Sequence, residues 1–292
     1  MKRSIIVFMM VITFACNVFA QSVGIEYYLN ASKDNILSLV RNGTKINDRF
    51  TFRFPDNIIR DGITPFMVIS TMTTKFEIAD ILLANGASTT DRSFDGQTAL
   101  MLAAKYGRQE NIDYLIEKGS DVNATDGLWT SLLISCCWNT NPGIVASLLD
   151  ADANIEALSG EGLTALCYAC NESINSYDTV KILVERGAAI DREYHMSNAT
   201  ILCWASMLCP YPDVIELLIK NGARINYRDS EGMTPLMWAV RGRNISVIKV
   251  LLKSGADGTI VSSEGKTAFD YAANDIKLQN TDVYWMLNNA RY

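Results

Sequence analysis

The chain has 292 residues, about half of them apolar, and a formal net charge of −6. That is enough apolar material for one large core or two ordinary ones. An acidic chain without basic clusters lacks the electrostatic footprint of a nucleic-acid binder and the polybasic stretch that suits an anionic membrane surface.

The first twenty residues read as a secretory signal. Lys2 and Arg3 open a short positive region, Ile5 to Phe14 is apolar apart from Thr13, and Val18-Phe19-Ala20 offers a cleavage site before Gln21. This is the layout of a leader that is removed after export, so the mature protein is expected to be periplasmic or secreted. A retained membrane helix needs about 20 apolar residues, and Asn17 and Gln21 break the run too early. A second reading takes Cys16 as a lipid attachment site, because Ala15-Cys16 loosely matches a bacterial lipobox. Only in that case is a membrane tether expected, and the protein is then an envelope lipoprotein. Composition and the short leader both have a bacterial look.

From residue 25 onward the chain repeats itself. Residues 21–60 hold an atypical first unit, with a degenerate first helix and a recognisable second one over Asn35 to Arg41, followed by an aromatic insertion, Phe50-Thr51-Phe52-Arg53-Phe54-Pro55, that lengthens a loop. Residues 61–258 carry five to six regular units, and residues 259–292 a closing one. A Thr followed two residues later by a large apolar residue recurs at Thr64, Thr98, Thr130, Thr164, Thr200, Thr234 and Thr267, with spacings of 34, 32, 34, 36, 34 and 33 residues. Each Thr is expected to cap a short first helix, and Pro65 and Pro235 sit where a helix has no N–H to lose. A second helix with paired aliphatic residues follows, then a glycine in the left-handed conformation that a helix end favours, at Gly43, Gly86, Gly119, Gly187, Gly222 and Gly255. In the one unit without that glycine, Asp152 takes the place. Helices this short are not stable alone in water. Each pair must bury its apolar face on the next, which gives one continuous stacked core.

The segments Asp61-Gly62-Ile63-Thr64-Pro65-Phe66 and Glu231-Gly232-Met233-Thr234-Pro235-Leu236, with Asn85-Gly86-Ala87 and Asn221-Gly222-Ala223 after the second helices, resemble the ankyrin family. The resemblance covers about residues 25 to 290 and implies an all-α solenoid of about seven helix-turn-helix units joined by finger loops. It departs from the family where a His is usual after the Leu: Met67, Met101, Leu133, Cys167, Cys203, Met237 and Asp270 stand there instead.

Other chemistry has weak signals. His195, the single histidine, falls in a finger loop with Ser197, a poor setting for a proton relay. Gly265-Lys266-Thr267 ends like a phosphate loop but has Ile260 where the first glycine belongs. Cys167 and Cys170, like Cys136 and Cys203, occupy packing positions at a spacing too wide for disulfides between neighbouring units. The six cysteines after Cys16 are therefore expected to be mostly buried free thiols, with Cys137 and Cys209 the more exposed exceptions. Asp91, Asp95, Asp126 and Asp229 suit finger turns better than a calcium loop. No catalytic residue, metal or small-molecule cofactor is expected.

In the resembled family, partners contact a concave face made by the fingers and first helices. Carried over by position, this implies a protein-binding set of Arg92, Phe94, Gln97, Tyr106, Trp129, Trp138, Met207, Met233 and Arg241. Tyr106, Trp129 and Trp138 stand out because large rigid aromatics serve as binding hot spots, although Trp138 would equally fill a gap left by the 32-residue unit. Tyr168, Trp204 and Trp238 share another column, expected to pack between units. The reading is a non-catalytic module for one protein partner, with an enzyme accessory or a structural envelope protein as the alternatives.

Overall fold

A computed structural model of the chain describes residues 24–43, 46–171, 177–195 and 197–290. The leader reading of residues 1–20 and the lipid reading of Cys16 fall outside them. The described chain forms two compact units, one ending at Asp126 and the other starting at Gly127.

The first unit contains α1 (Ile25–Asn30), α2 (Lys33–Arg41), β1 (Phe50–Arg53), β2 (Ile59–Ile63), α3 (Pro65–Met72), α4 (Phe76–Ala84), α5 (Ala99–Tyr106) and α6 (Gln109–Glu117). First helices α1, α3 and α5 pack in a row, and α2 packs on α4. Thr64 starts α3 by accepting a hydrogen bond from the Met67 N–H at 3.3 Å, and Pro65 follows at the first helical position. Helix α3 is buried from Pro65 to Thr71. Its polar Ser70 is satisfied by donating back to the Phe66 carbonyl at 2.6 Å, as a buried hydroxyl must be.

The aromatic insertion forms an antiparallel hairpin, β1 with β2, the one sheet among the described residues. The two-residue alternation Phe50-Thr51-Phe52-Arg53 matches strand periodicity, and the phenylalanines lie on the less exposed side. Asp56 and Asn57 turn the chain. The Ile58 N–H donates to the Asp56 carboxylate at 3.1 Å, and Asn57 adopts a left-handed φ of 64°.

The second unit contains α7 (Ser131–Trp138), α8 (Pro142–Asp150), α9 (Ala165–Ala169), α10 (Tyr177–Glu185), α11 (Ile201–Leu208), α12 (Pro212–Lys220), α13 (Pro235–Arg241), α14 (Ile245–Lys253), α15 (Ala268–Ala273), α16 (Ile276–Gln279) and α17 (Asp282–Asn289). First helices stack in the order α7, α9, α11, α13, α15; second helices stack as α8, α10, α12, α14, α17. This is an all-α ankyrin-type solenoid.

Local chemistry corrects one sequence expectation and meets another. Thr130, Thr234 and Thr267 accept the third N–H of their helices at 3.3 to 3.4 Å, but Thr164 and Thr200 make no such cap. In both units a cysteine stands three residues later, and the hydroxyl donates to its sulfur instead, Thr164 to Cys167 at 3.6 Å and Thr200 to Cys203 at 3.7 Å. Asp152 does adopt the left-handed backbone that its neighbours leave to glycine, with φ 62° against 81° at Gly119 and 88° at Gly187.

All six described cysteines are free; Cys136, Cys170, Cys203 and Cys209 are buried, while Cys137 and Cys167 are partly so. Cys209 was expected at an exposed helix end, yet it is 1 % exposed. Asn244 of the following unit closes over it and donates to its carbonyl at 2.6 Å.

Successive fingers are joined by main-chain hydrogen bonds: Phe94 N–H to the Asp61 carbonyl at 3.0 Å in the first unit, and Gly160 to Leu128, Ser230 to Ser197 and Ser263 to Glu231 at 2.8 to 3.0 Å in the second. The approach is close enough to require glycine at Gly62, where φ is 77° and a Cβ would lie 2.7 Å from the Phe94 nitrogen.

Candidate protein-binding surface

In the first unit the hairpin itself covers part of the expected surface. The Phe54 ring is buried and stacks on Tyr106, with centroids 4.7 Å apart and planes 17° from parallel. The Asp56 carboxylate accepts from the Tyr106 hydroxyl at 2.7 Å and the Lys105 ammonium at 2.8 Å. Burial works against the Asp56 charge, but these hydrogen bonds and the Ile58 N–H outweigh it and bring the carboxyl down to about 2. Tyr106 is thus engaged by its own chain. The sequence showed the aromatic insertion but not its landing place, which lies 50 residues further on.

The finger residues differ among themselves. Arg92 is exposed but donates to the Gly96 and Thr125 carbonyls at 2.7 and 2.8 Å, which ties two fingers together. Gln97 donates to Asp126 at 3.3 Å. Phe94 is 75 % exposed and has the Arg49 guanidinium 6.0 Å from its ring centre.

The second unit gathers an aromatic cluster. Trp129 lies 4.6 Å from Trp138 and 5.1 Å from Tyr168, with tilted rings. Trp138 keeps 41 % of its surface exposed, and Leu128 and Leu208 are exposed too. Met207 is partly buried on α11. Arg241 is exposed, sits 5.0 Å over the Trp238 ring and reaches Glu231 at 3.9 Å. Met233 is 1 % exposed and pairs through its main chain with Asp229, so its side chain faces the interior rather than a partner.

Tyr168, Trp238 and Tyr271, in the column after the usual His place, follow one pattern: each polar tip meets the finger residue nine positions earlier. The Tyr168 hydroxyl donates to Ser159 at 2.9 Å, Trp238 Nε1 to Asp229 at 2.8 Å, and Tyr271 shares a bond with Ser262 at 2.9 Å. Such anchoring of an aromatic tip suits residues that pack between units. Among the described residues, no group of three His, Cys, Asp or Glu side chains is placed to hold a metal ion, and no helix is long and apolar enough to cross a membrane. What the surface offers is rigid apolar area with anchored polar tips.

The family profile "Ankyrin repeats (3 copies)" matches residues 28–126, 132–229 and 202–290. The chain belongs to the ankyrin-repeat family. Among curated proteins it is 35 % identical, over 57 % of its length, to an ankyrin repeat protein of fowlpox virus (strain NVSL), of which the match covers 48 %. It is 25 % identical over 68 % of its length to the Saccharomyces cerevisiae protein named "Probable 26S proteasome regulatory subunit p28", covering 89 % of that protein. It is 27 % identical over 63 % of its length to human Rabankyrin-5, covering 16 %. The array thus spans about half of the fowlpox protein and a small part of Rabankyrin-5. Ankyrin repeats generally mediate protein–protein interaction, and a shared fold does not fix the partner.

Proposed function

We propose that this ankyrin array is a non-catalytic module that holds one protein partner after export, and that it does so on the finger-and-first-helix face of its second unit, the concave face expected of such arrays. The observation that carries this reading is the Trp129–Trp138–Tyr168 cluster with Trp138 left 41 % exposed. A large aromatic held rigid by its neighbours loses little conformational freedom on binding, and such residues dominate interface energetics. Leu128, next to Trp129 in the chain, is exposed as well, and the proposal includes Met207 on α11 and Arg241 at the end of α13 of the same unit.

The test is a crosslinking pull-down from the envelope fraction of the cell that exports the protein, repeated with Trp138→Ala and with Trp129→Ala/Trp138→Ala. Hot-spot truncation weakens binding by roughly thirtyfold or more, so the captured partner should be lost while circular dichroism and the melting curve stay those of the parent. Undiminished capture by a folded double variant overturns the assignment. Export is tested separately by N-terminal sequencing: a mature chain beginning at Gln21 supports it, a lipidated Cys16 places the protein on the envelope, and an intact Met1 refutes both.

A further inference from the structure

Three repeats of the second unit place a glutamate three residues before the repeat Thr and an aromatic ring four residues after it: Glu161 with Tyr168, Glu231 with Trp238 and Glu264 with Tyr271. In two of these the chain itself supplies a cation to ring and carboxylate together. Arg241 sits 5.0 Å over the Trp238 ring and 3.9 Å from the Glu231 carboxylate. Lys266 sits 5.5 Å over the Tyr271 ring and 2.7 Å from the Glu264 carboxylate.

The Thr164 repeat has the same ring and carboxylate without the cation. The Tyr168 hydroxyl donates to Glu161 at 3.2 Å, so the two groups adjoin. Arg241 stands seven residues after its Thr and Lys266 one residue before; the matching residues here are Asn171 and Leu163, both neutral. Among the described residues Glu161 makes no ion pair and no cation stacks on Tyr168, whereas Asp150 pairs with Arg186 at 2.6 Å and Glu156 with Arg192 at 3.0 Å. Glu161 is exposed. The surrounding sequence adds to its charge: residues 127–180 hold six Asp or Glu and no Lys, Arg or His. The Tyr168 ring also lies 5.1 Å from Trp129, within the aromatic cluster assigned above to partner binding.

A cation is drawn to the face of an aromatic ring and to a carboxylate, and here both act at one point. An acidic surface also favours encounter with a basic partner and disfavours an acidic one. We infer that Glu161 and Tyr168 receive one arginine or lysine side chain carried by a basic segment of the protein partner. This inference rests on the partner-binding reading above and adds the partner's chemistry to it.

The test is fluorescence anisotropy of fluorescein-labelled hexa-arginine titrated with the whole chain at physiological ionic strength. Binding to the parent should be saturable. Glu161→Gln should weaken it about fivefold. Glu185→Gln removes the same charge from an exposed place at the end of α10 and should weaken it less than about twofold. Asn171→Arg puts a cation where Arg241 stands in its own repeat and should weaken binding at least as much as Glu161→Gln. Circular dichroism checks each fold, and Glu161→Gln carries the test alone if Asn171→Arg does not fold. Equal weakening by Glu161→Gln and Glu185→Gln, or no saturable binding to the parent, overturns the inference. In the pull-down described above, a partner lost with Trp138→Ala but fully captured by Glu161→Gln leaves the surface standing and overturns the basic side chain; full capture by both overturns the surface itself.

Discussion

Asp56 gives the most quantitative handle on the first unit. Its carboxyl drops from 3.8 to about 2 in the folded chain, with hydrogen bonds from Lys105 and Tyr106 prevailing over burial. A folded value below the unfolded one means that the contribution is fully present above pH ~4 and disappears as pH falls through about 2. The full shift would correspond to roughly 2.4 kcal/mol at 1.36 kcal/mol for each decade. The Asp56 side chain keeps 30 % of its surface in solvent, and screening reduces that to about 1 kcal/mol. Asp56→Asn should therefore cost the hairpin about 1 kcal/mol at pH 7 and much less at pH 2. All five tryptophans lie in the second unit, so indole fluorescence carries no reporter inside the hairpin. The assay is native-state hydrogen exchange at the Phe54 amide, which bonds to the Ile58 carbonyl at 2.9 Å. Its protection should fall about fivefold in the variant at neutral pH, and the two proteins should converge on acidification. Other acids titrate over the same range, so only the difference between the proteins bears on Asp56. A difference that stays constant from pH 7 to pH 2, or none at pH 7, refutes the account.

Phe54→Ala removes a fully buried ring stacked on Tyr106 and should destabilise the first unit by about 3–4 kcal/mol, read as lost amide protection in the hairpin. Asp152→Gly relieves a left-handed non-glycine at a helix end and should raise stability, read from urea unfolding followed by tryptophan fluorescence, by a few tenths of a kcal/mol, whereas Asp152→Val should lower it by about 1–2 kcal/mol. Gly62→Ala forces a Cβ towards the Phe94 main chain at positive φ and should separate the first two fingers, seen as rapid exchange of the Phe94 amide. A thiol reagent at pH 8 should modify Cys137 well before Cys136, whose thiol burial pushes up to about 12; labelling at equal rates would show that the helices breathe open.

Much of this was legible in the residues because ankyrin units are short and each marker has a local cause. The Thr64-Pro65 start, the closing glycines and even the stand-in Asp152 follow from backbone preferences that one unit satisfies by itself. What escaped depended on distance or on competition. Phe50 to Phe54 announced a strand by their alternation, but nothing nearby fixed that Phe54 would settle on Tyr106. Thr164 and Thr200 look like caps until the sulfur three residues on competes for the hydroxyl. Met233 and Cys209 were assigned to the surface by position in the repeat, and both are buried, Cys209 with Asn244 of the following repeat closed over it. The place for a cation beside Glu161 and Tyr168 needed the neighbouring repeats for comparison, since Arg241 and Lys266 reveal it.

The main-chain links between fingers, from Phe94 to Asp61 through Ser263 to Glu231, use only peptide atoms, and side chains such as Arg92 add ties of their own. The strength of the main-chain links does not depend on which side chains the tips display, provided the few close-approach glycines stay. Tip residues that carry no such tie can accordingly be exchanged with little effect on how one layer registers on the next. A lineage, or a designer, can rewrite what such a scaffold recognises while leaving its assembly untouched.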